Sequence, residues 1–248
     1  MRLEYPMYSN GMYCLKNGDF DKIASMVLGE YLPEALKKPQ PIDIDYLIED
    51  CFYLDVIKAH ITLEGHILGM MVFEDTPWKY YDISYRPVVK ELKESTMLID
   101  LSLSGDKNLP RERFTKAHET SHWICHRSLH SYDKLPYEFR KSPFVACRDT
   151  SIERYKHNDE FKRSELDWEE WQADRLAASL LMPRDTFTDV SQRVINNYGI
   201  RNGILVKGHN IEASRKVIST VAKVLYGIPK GYSDSYESAW IACRINSI

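Results

Sequence analysis

Residues 117–126 read Ala117-His118-Glu119-Thr120-Ser121-His122-Trp123-Ile124-Cys125-His126, and they contain an H-E-x-x-H pattern from His118 to His122. On a helix, positions i and i+4 share one face about a turn apart, so both imidazoles can reach one point. Imidazole nitrogens bind zinc at roughly 2.0–2.1 Å. Glu119 is rotated off the ligand line, yet it can approach the open coordination position and take a proton from a metal-activated water. Working outward, Phe114, Ala117, Ser121, Ile124 and Cys125 give a mostly small or apolar face at helical spacing. The two histidines flank that face and point inward, where they are costly unless a metal or hydrogen bonds satisfy them. Pro110 is tolerated in the first turn of this helix, whose pattern runs to about Arg127.

A catalytic zinc takes three protein ligands and a water. The longer pattern H-E-x-x-H-x-x-G-x-x-H fails here, because Cys125 and Ser128 stand at its Gly and last His. His126 lies two turns from His118, about 12 Å along the axis, too far to share one ion with both histidines. It is expected behind the ligands or at the helix end, and His130 is farther still. A second helical segment, Trp168 to Leu181, stops at Pro183 and carries Glu170 and Asp174 as i, i+4 neighbours. Glu170 is the expected third ligand. Asp174 would then accept a hydrogen bond from the free ring nitrogen of a ligand histidine, fixing its tautomer. Ala173, Ala177 and Ala178 are small enough to let the two helices approach closely. Alone, Asp167, Glu169, Glu170 and Asp174 would read as an acidic helix start that favours the dipole; the upstream motif tips the balance to ligation.

The rest of the chain frames these two helices. Apolar spacing predicts a helix over Asp19 to Leu36 and a second over Ile42 to Phe52, with Asp43 as N-cap. Leu54 to Leu63 and His66 to Phe73 read as strands of a hairpin turned at Glu64-Gly65, and Thr96 to Leu103 as a third strand. Residues 131–167 are polar and charged and read as irregular. Beyond Pro183, helices are predicted over Thr186 to Asn196, Ile211 to Tyr226 and Ser233 to Cys243. The expected division is a domain of residues 1–184, whose residues 1–40 form a helical extension, followed by a helical region 185–248.

At 44% hydrophobic and 28% charged residues the chain has the composition of a globular protein. Its net charge of -3 gives no sign of a nucleic-acid binder. Neither a transmembrane run nor a secretory leader is legible. Five scattered cysteines without a C-x-x-C pair suit reduced thiols, so a cytoplasmic location is expected. Cys51, Cys125 and Cys243 read as core residues, whereas Cys147 lies in a polar stretch and is expected to be exposed. A thiolate at Cys147 blocking the zinc is conceivable there.

Arg113-Phe114-Thr115-Lys116-Ala117-His118-Glu119-Thr120-Ser121-His122, followed by His126, resembles the RFTxAHExxHxxxH segment of the ImmA/IrrE family. Glu170-Trp171-Gln172-Ala173-Asp174-Arg175-Leu176-Ala177-Ala178-Ser179-Leu180-Leu181-Met182-Pro183 is similar to that family's ExxANxFAAxLLMP segment. The likeness spans roughly residues 20 to 185, with Thr120-Ser121, Asp174 and Leu176 departing from the usual residues. It implies an α+β fold: a zincin-like core of a small three-stranded sheet packed on the H-E-x-x-H helix and the ligand helix, plus a helical C-terminal region. It implies zinc (Zn2+) on His118, His122 and Glu170, with Glu119 as general base; Asp174 and His126 stay in the supporting places that helix spacing gives them. It also implies a zinc endopeptidase that cleaves a helix-turn-helix transcriptional repressor and so derepresses its genes. Tyr155, His157, Arg175 and Tyr198 are candidates for a further donor to the oxyanion.

The competing reading is a non-catalytic regulatory or DNA-associated protein with a structural metal. Residues 217–243 faintly resemble a helix-turn-helix. Residues 185–248 carry eight basic side chains and five acids, a bias of +3 that fits packed helices better than DNA binding.

Overall fold

The computed structural model describes residues 3–130, 142–148, 165–198 and 211–226. The fold is α+β, with a mixed sheet and several helices. The chain forms two compact units, one of residues 1–16 and 44–177, the other of 17–43 and 178–248.

In the first unit, a single α turn (α3, Ile44–Tyr46) runs into a π turn over Leu47–Cys51, where a regular helix over 42–52 was expected. The strands follow: β1 Asp55–Ala59, β2 Ile67–Val72, β3 Thr76–Tyr81, β4 Pro87–Leu92 and β5 Thr96–Asp100. Next come the long helix α4, Leu109–His130, then β6, Phe144–Arg148, and α5, Glu165–Leu181, which ends in the second unit.

The sheet is ordered β1-β5-β2-β6, with β1 parallel to β5 and the other pairs antiparallel. It has four strands rather than three, because Phe144–Arg148 lies within the stretch read as irregular. Nor do β1 and β2 pair as a hairpin. A turn forms before Gly65 (φ 67°), but β5 lies between the two strands. Strand periodicity reports which faces are buried and says nothing about which strands are neighbours.

β2 and β5 are buried almost throughout, as expected of strands covered on both faces. On one face Met70, Val72 and Leu98 join Ile61 and Leu92, with Trp78 and Tyr80 of β3 packed over them. Phe144 of β6 meets Trp78 edge-on at 4.7 Å. The antiparallel β3–β4 pair that lays this cover was not anticipated. Its turn is held by the Asp82 carboxylate, which accepts from the backbone N–H groups of Ser84 and Arg86 at 2.8 and 3.0 Å.

On the other face, Gly69 and Met71 of β2 pair with Cys147 and Val145 of β6. That face carries α4. The start of α4 is fixed by ions: Glu112 lies 2.7 Å from Lys58 of β1 and 2.8 Å from Lys116, which also reaches Asp45 at 2.7 Å. Its far end is fixed by His130, stacked on Phe73 and 2.9 Å from Glu169 of α5.

In the second unit, α1 (Asn17–Tyr31) buries Phe20, Ile23, Ala24, Val27 and Leu28 at helical spacing. A short turn, α2 (Glu34–Lys37), follows. After Pro183 come α6 (Arg184–Asn197) and α7 (Ile211–Tyr226), close to their predicted ranges. Asp21 accepts from Ser179 at 3.0 Å. The predicted helix Ser233 to Cys243, most of the faint helix-turn-helix, and Cys243 lie outside the described residues. Among the described residues no helix is long and apolar enough to cross a membrane.

Candidate metal centre

His118, Glu119, His122, His126, Cys147, Glu170 and Asp174 all belong to the first unit. Helix α4 turns His118, Glu119, His122 and His126 into the interior, each fully buried. Helix α5 presents Glu170 and Asp174, nine-tenths buried, and its Ala173 and Ala177 have no exposure at all.

The two H-E-x-x-H imidazoles converge, with His118 Nε2 and His122 Nε2 3.0 Å apart. Glu170 completes a triangle: Oε2 is 3.4 Å from His118 Nε2 and Oε1 is 3.5 Å from His122 Nε2. Tetrahedral zinc with bonds of about 2.0–2.1 Å holds its ligand atoms about 3.3–3.4 Å apart. The two carboxylate–imidazole separations are close to that spacing, and the 3.0 Å between the imidazole nitrogens is shorter. Neither Glu170 oxygen has a hydrogen-bond partner, since 3.4 and 3.5 Å are too long for a good one. Both oxygens of Glu119 are likewise buried and unpartnered. Orphaned buried carboxylates are expensive, and a cation removes that cost.

The outer nitrogens of both rings are spoken for. His118 Nδ1 lies 2.9 Å from Asp174 Oδ1, so a proton there leaves Nε2 with a free lone pair. Behind His122 runs a longer chain. The amide nitrogen of Gln172 donates to the Tyr13 carbonyl at 2.8 Å, which directs its Oε1 at His126 Nε2, 3.1 Å away. Gln172 Oε1 can only accept, so His126 Nε2 carries the proton and His126 Nδ1 is the acceptor. His122 Nδ1, 2.9 Å from it, must then donate, and His122 Nε2 is freed as well. Nothing in the sequence marks Tyr13 for this role, and Gln172 is marked only weakly. A polar side chain two positions after Glu170 was the only signal.

Without a metal, the electrostatics agree with this arrangement at His126 and His122, whereas at His118 they favour the protonated ring. Burial pushes His126 down to about 3, with His122 adding to the effect, so its ring is neutral. Burial also lowers His122, against the pull of Glu170. Burial disfavours charge on His118 too, but Cys147, Asp174 and Glu170 outweigh it and hold its pKa well above the ordinary value. Burial would raise Glu170, yet His118 and His122 hold it well below the usual carboxylate range. Burial pushes Glu119 up to about 8, opposed by His118 and reinforced by Glu170. Asp174 is raised by burial, with His118 opposing.

Gly69 of β2 gives Glu119 its room. A Cβ there would stand 2.5 Å from Glu119 Oε1 and 2.7 Å from Thr115 Cγ2. Cys147, expected to be exposed, is 8% exposed on β6. Its Sγ, one ring nitrogen of His118 and one oxygen of Glu170 lie within 4.8 Å of one another. Burial pushes its thiol up to about 11, with His118 opposing.

Of the candidate oxyanion donors, Arg175 lies over the ring of Trp171 at 5.9 Å. Tyr198 belongs to the second unit, its hydroxyl 3.3 Å from Thr220 Oγ1. Tyr155 and His157 lie outside the described residues.

No curated protein and no solved structure matches the chain. The family model described as Peptidase_M78, the IrrE N-terminal-like domain, matches residues 73–200, which include α4, β6 and α5. That is more than half of the 248 residues. The chain is therefore a member of the Peptidase_M78 family, with an IrrE N-terminal-like domain.

Proposed function

We propose that this protein is a zinc-dependent endopeptidase of a zincin-like core, with zinc held by His118, His122 and Glu170. The observation that carries the reading is the triangle of two freed imidazole nitrogens and one unpartnered carboxylate, 3.0, 3.4 and 3.5 Å on its edges. Two lone pairs facing each other at 3.0 Å repel unless a cation or proton lies between them. The peptidase family supplies the reaction class.

Zinc bound there supplies Lewis acidity toward a peptide carbonyl and acidifies a water. Glu119 is the general base. Its raised affinity for protons suits a group that accepts one from water and returns it to the leaving amine. Asp174 orients the His118 ring, and His126 with Gln172 orients the His122 ring. Gly69 leaves room for the Glu119 carboxylate.

The substrate we infer is a helix-turn-helix transcriptional repressor, whose cleavage switches on the genes it silences. The reading places the activity in the cytoplasm. It is tested by incubating the protein with candidate repressors, with and without a chelator. Chelator-sensitive cleavage that Glu119→Gln abolishes supports it. Cleavage undiminished in that variant contradicts it.

A further inference from the structure

We infer that Cys147 is a fourth protein ligand that closes the metal centre in the resting protein, so that catalysis requires β6 to move away. The inference rests on the metal site proposed above and concerns its regulation.

Strand register places the thiol. Cys147 pairs across the sheet with Gly69, and opposite residues of an antiparallel pair share a face. Gly69 faces Glu119, because a Cβ at this position would stand 2.5 Å from Glu119 Oε1. Cys147 therefore faces the same helix from the adjoining strand, beside His118. Its Sγ comes within 4.8 Å of His118 and Glu170 ligand atoms, a group that leaves out His122, so a rotation of the thiol is needed for all four to meet one ion, and it is buried there. The Glu170 oxygens are buried without a hydrogen-bond partner, as are those of Glu119.

The chemistry favours the contact. A thiolate bonds zinc at about 2.3 Å, slightly longer than nitrogen or oxygen, and a set of Cys, two His and a carboxylate saturates a tetrahedral ion. Structural zinc sites are closed in this way, whereas catalytic ones keep a position open. β6 is also suited to leave. It is the terminal strand of the sheet and pairs only with β2 among the described residues. Removing β6 would withdraw the thiol and leave His118, His122 and Glu170, all on helices, where they are.

The test uses the full chain loaded with cobalt(II) in place of zinc. The wild type is expected to show a sulfur-to-cobalt charge-transfer band in the near ultraviolet, retained in Cys125→Ala and absent in Cys147→Ala. Zinc affinity, measured by chelator competition, should fall about tenfold or more in Cys147→Ala. Acetohydroxamic acid, a small metal ligand, should perturb the visible bands of cobalt-loaded Cys147→Ala at about a tenth of the concentration the wild type needs. A cobalt-loaded wild type without the band overturns the inference and leaves the three-ligand site standing. Equal hydroxamate response in the two proteins overturns the closure. A wild type that binds no cobalt overturns both the inference and the metal site.

Discussion

The Nδ1 atoms of His122 and His126 lie 2.9 Å apart, one turn from each other on α4 and both fully buried. Two ring nitrogens at that distance share one proton, and Gln172 decides which ring holds it. Replacing Gln172 with Leu removes the acceptor that fixes His126, and replacing His126 with Leu removes the acceptor that fixes His122. Each is expected to weaken zinc binding by about 10–100-fold, the usual effect of losing an orienting partner. Competition with a chelator of known affinity measures it. Unchanged affinity in both variants would show that the chain of hydrogen bonds does not set the ligand.

Gly69→Ala places a methyl group where Glu119 Oε1 and Thr115 Cγ2 would be 2.5 and 2.7 Å away. The carboxylate must swing aside or the strand must shift. Stability should fall by about 1–3 kcal/mol, as for other overpacked cores. Peptidase activity should fall further than zinc content does. Full activity with alanine at this position would mean that Glu119 needs no such clearance.

Glu119→Gln keeps the size of the side chain and removes its basicity. Hydrolysis should drop by about 10²–10⁴-fold, the range for a positioned general base, while zinc stays bound. Metal analysis on the same sample separates the two effects.

In the metal-free protein the buried Glu119 carboxyl has its pKa raised from 4.5 to about 8. The folded state then holds a proton that the unfolded state has already released between those values. Stability is fully present below the unfolded pKa and is lost as pH rises through the folded one. Denaturant titrations from pH 4.5 to 8 should show wild-type apoprotein losing more stability than Glu119→Gln apoprotein. Parallel curves would contradict the assignment.

The helices were legible because their signals are local. The i, i+4 histidines, the Pro183 stop and the apolar stripes of α1 and α6 each depend on residues within a few turns. Spacing on their helix marks Glu170 and Asp174, and the structure brings Glu170 to His118 and His122 and Asp174 to His118. What escaped depends on partners distant in sequence. The thiol of Cys147 looked exposed because its neighbours are polar, yet pairing with β2 buries it. β1 and β2 looked like a hairpin until β5 came between them. Gln172 acquires its role from the Tyr13 carbonyl, 159 positions away.

The central claim is that His118, His122 and Glu170 together hold one catalytic metal, and zinc content per chain tests it most directly. After dialysis against dilute zinc, wild type and Glu119→Gln should each retain about one zinc, and Glu170→Ala should retain almost none. Equal zinc in Glu170→Ala and wild type, or none in the wild type, would contradict the account.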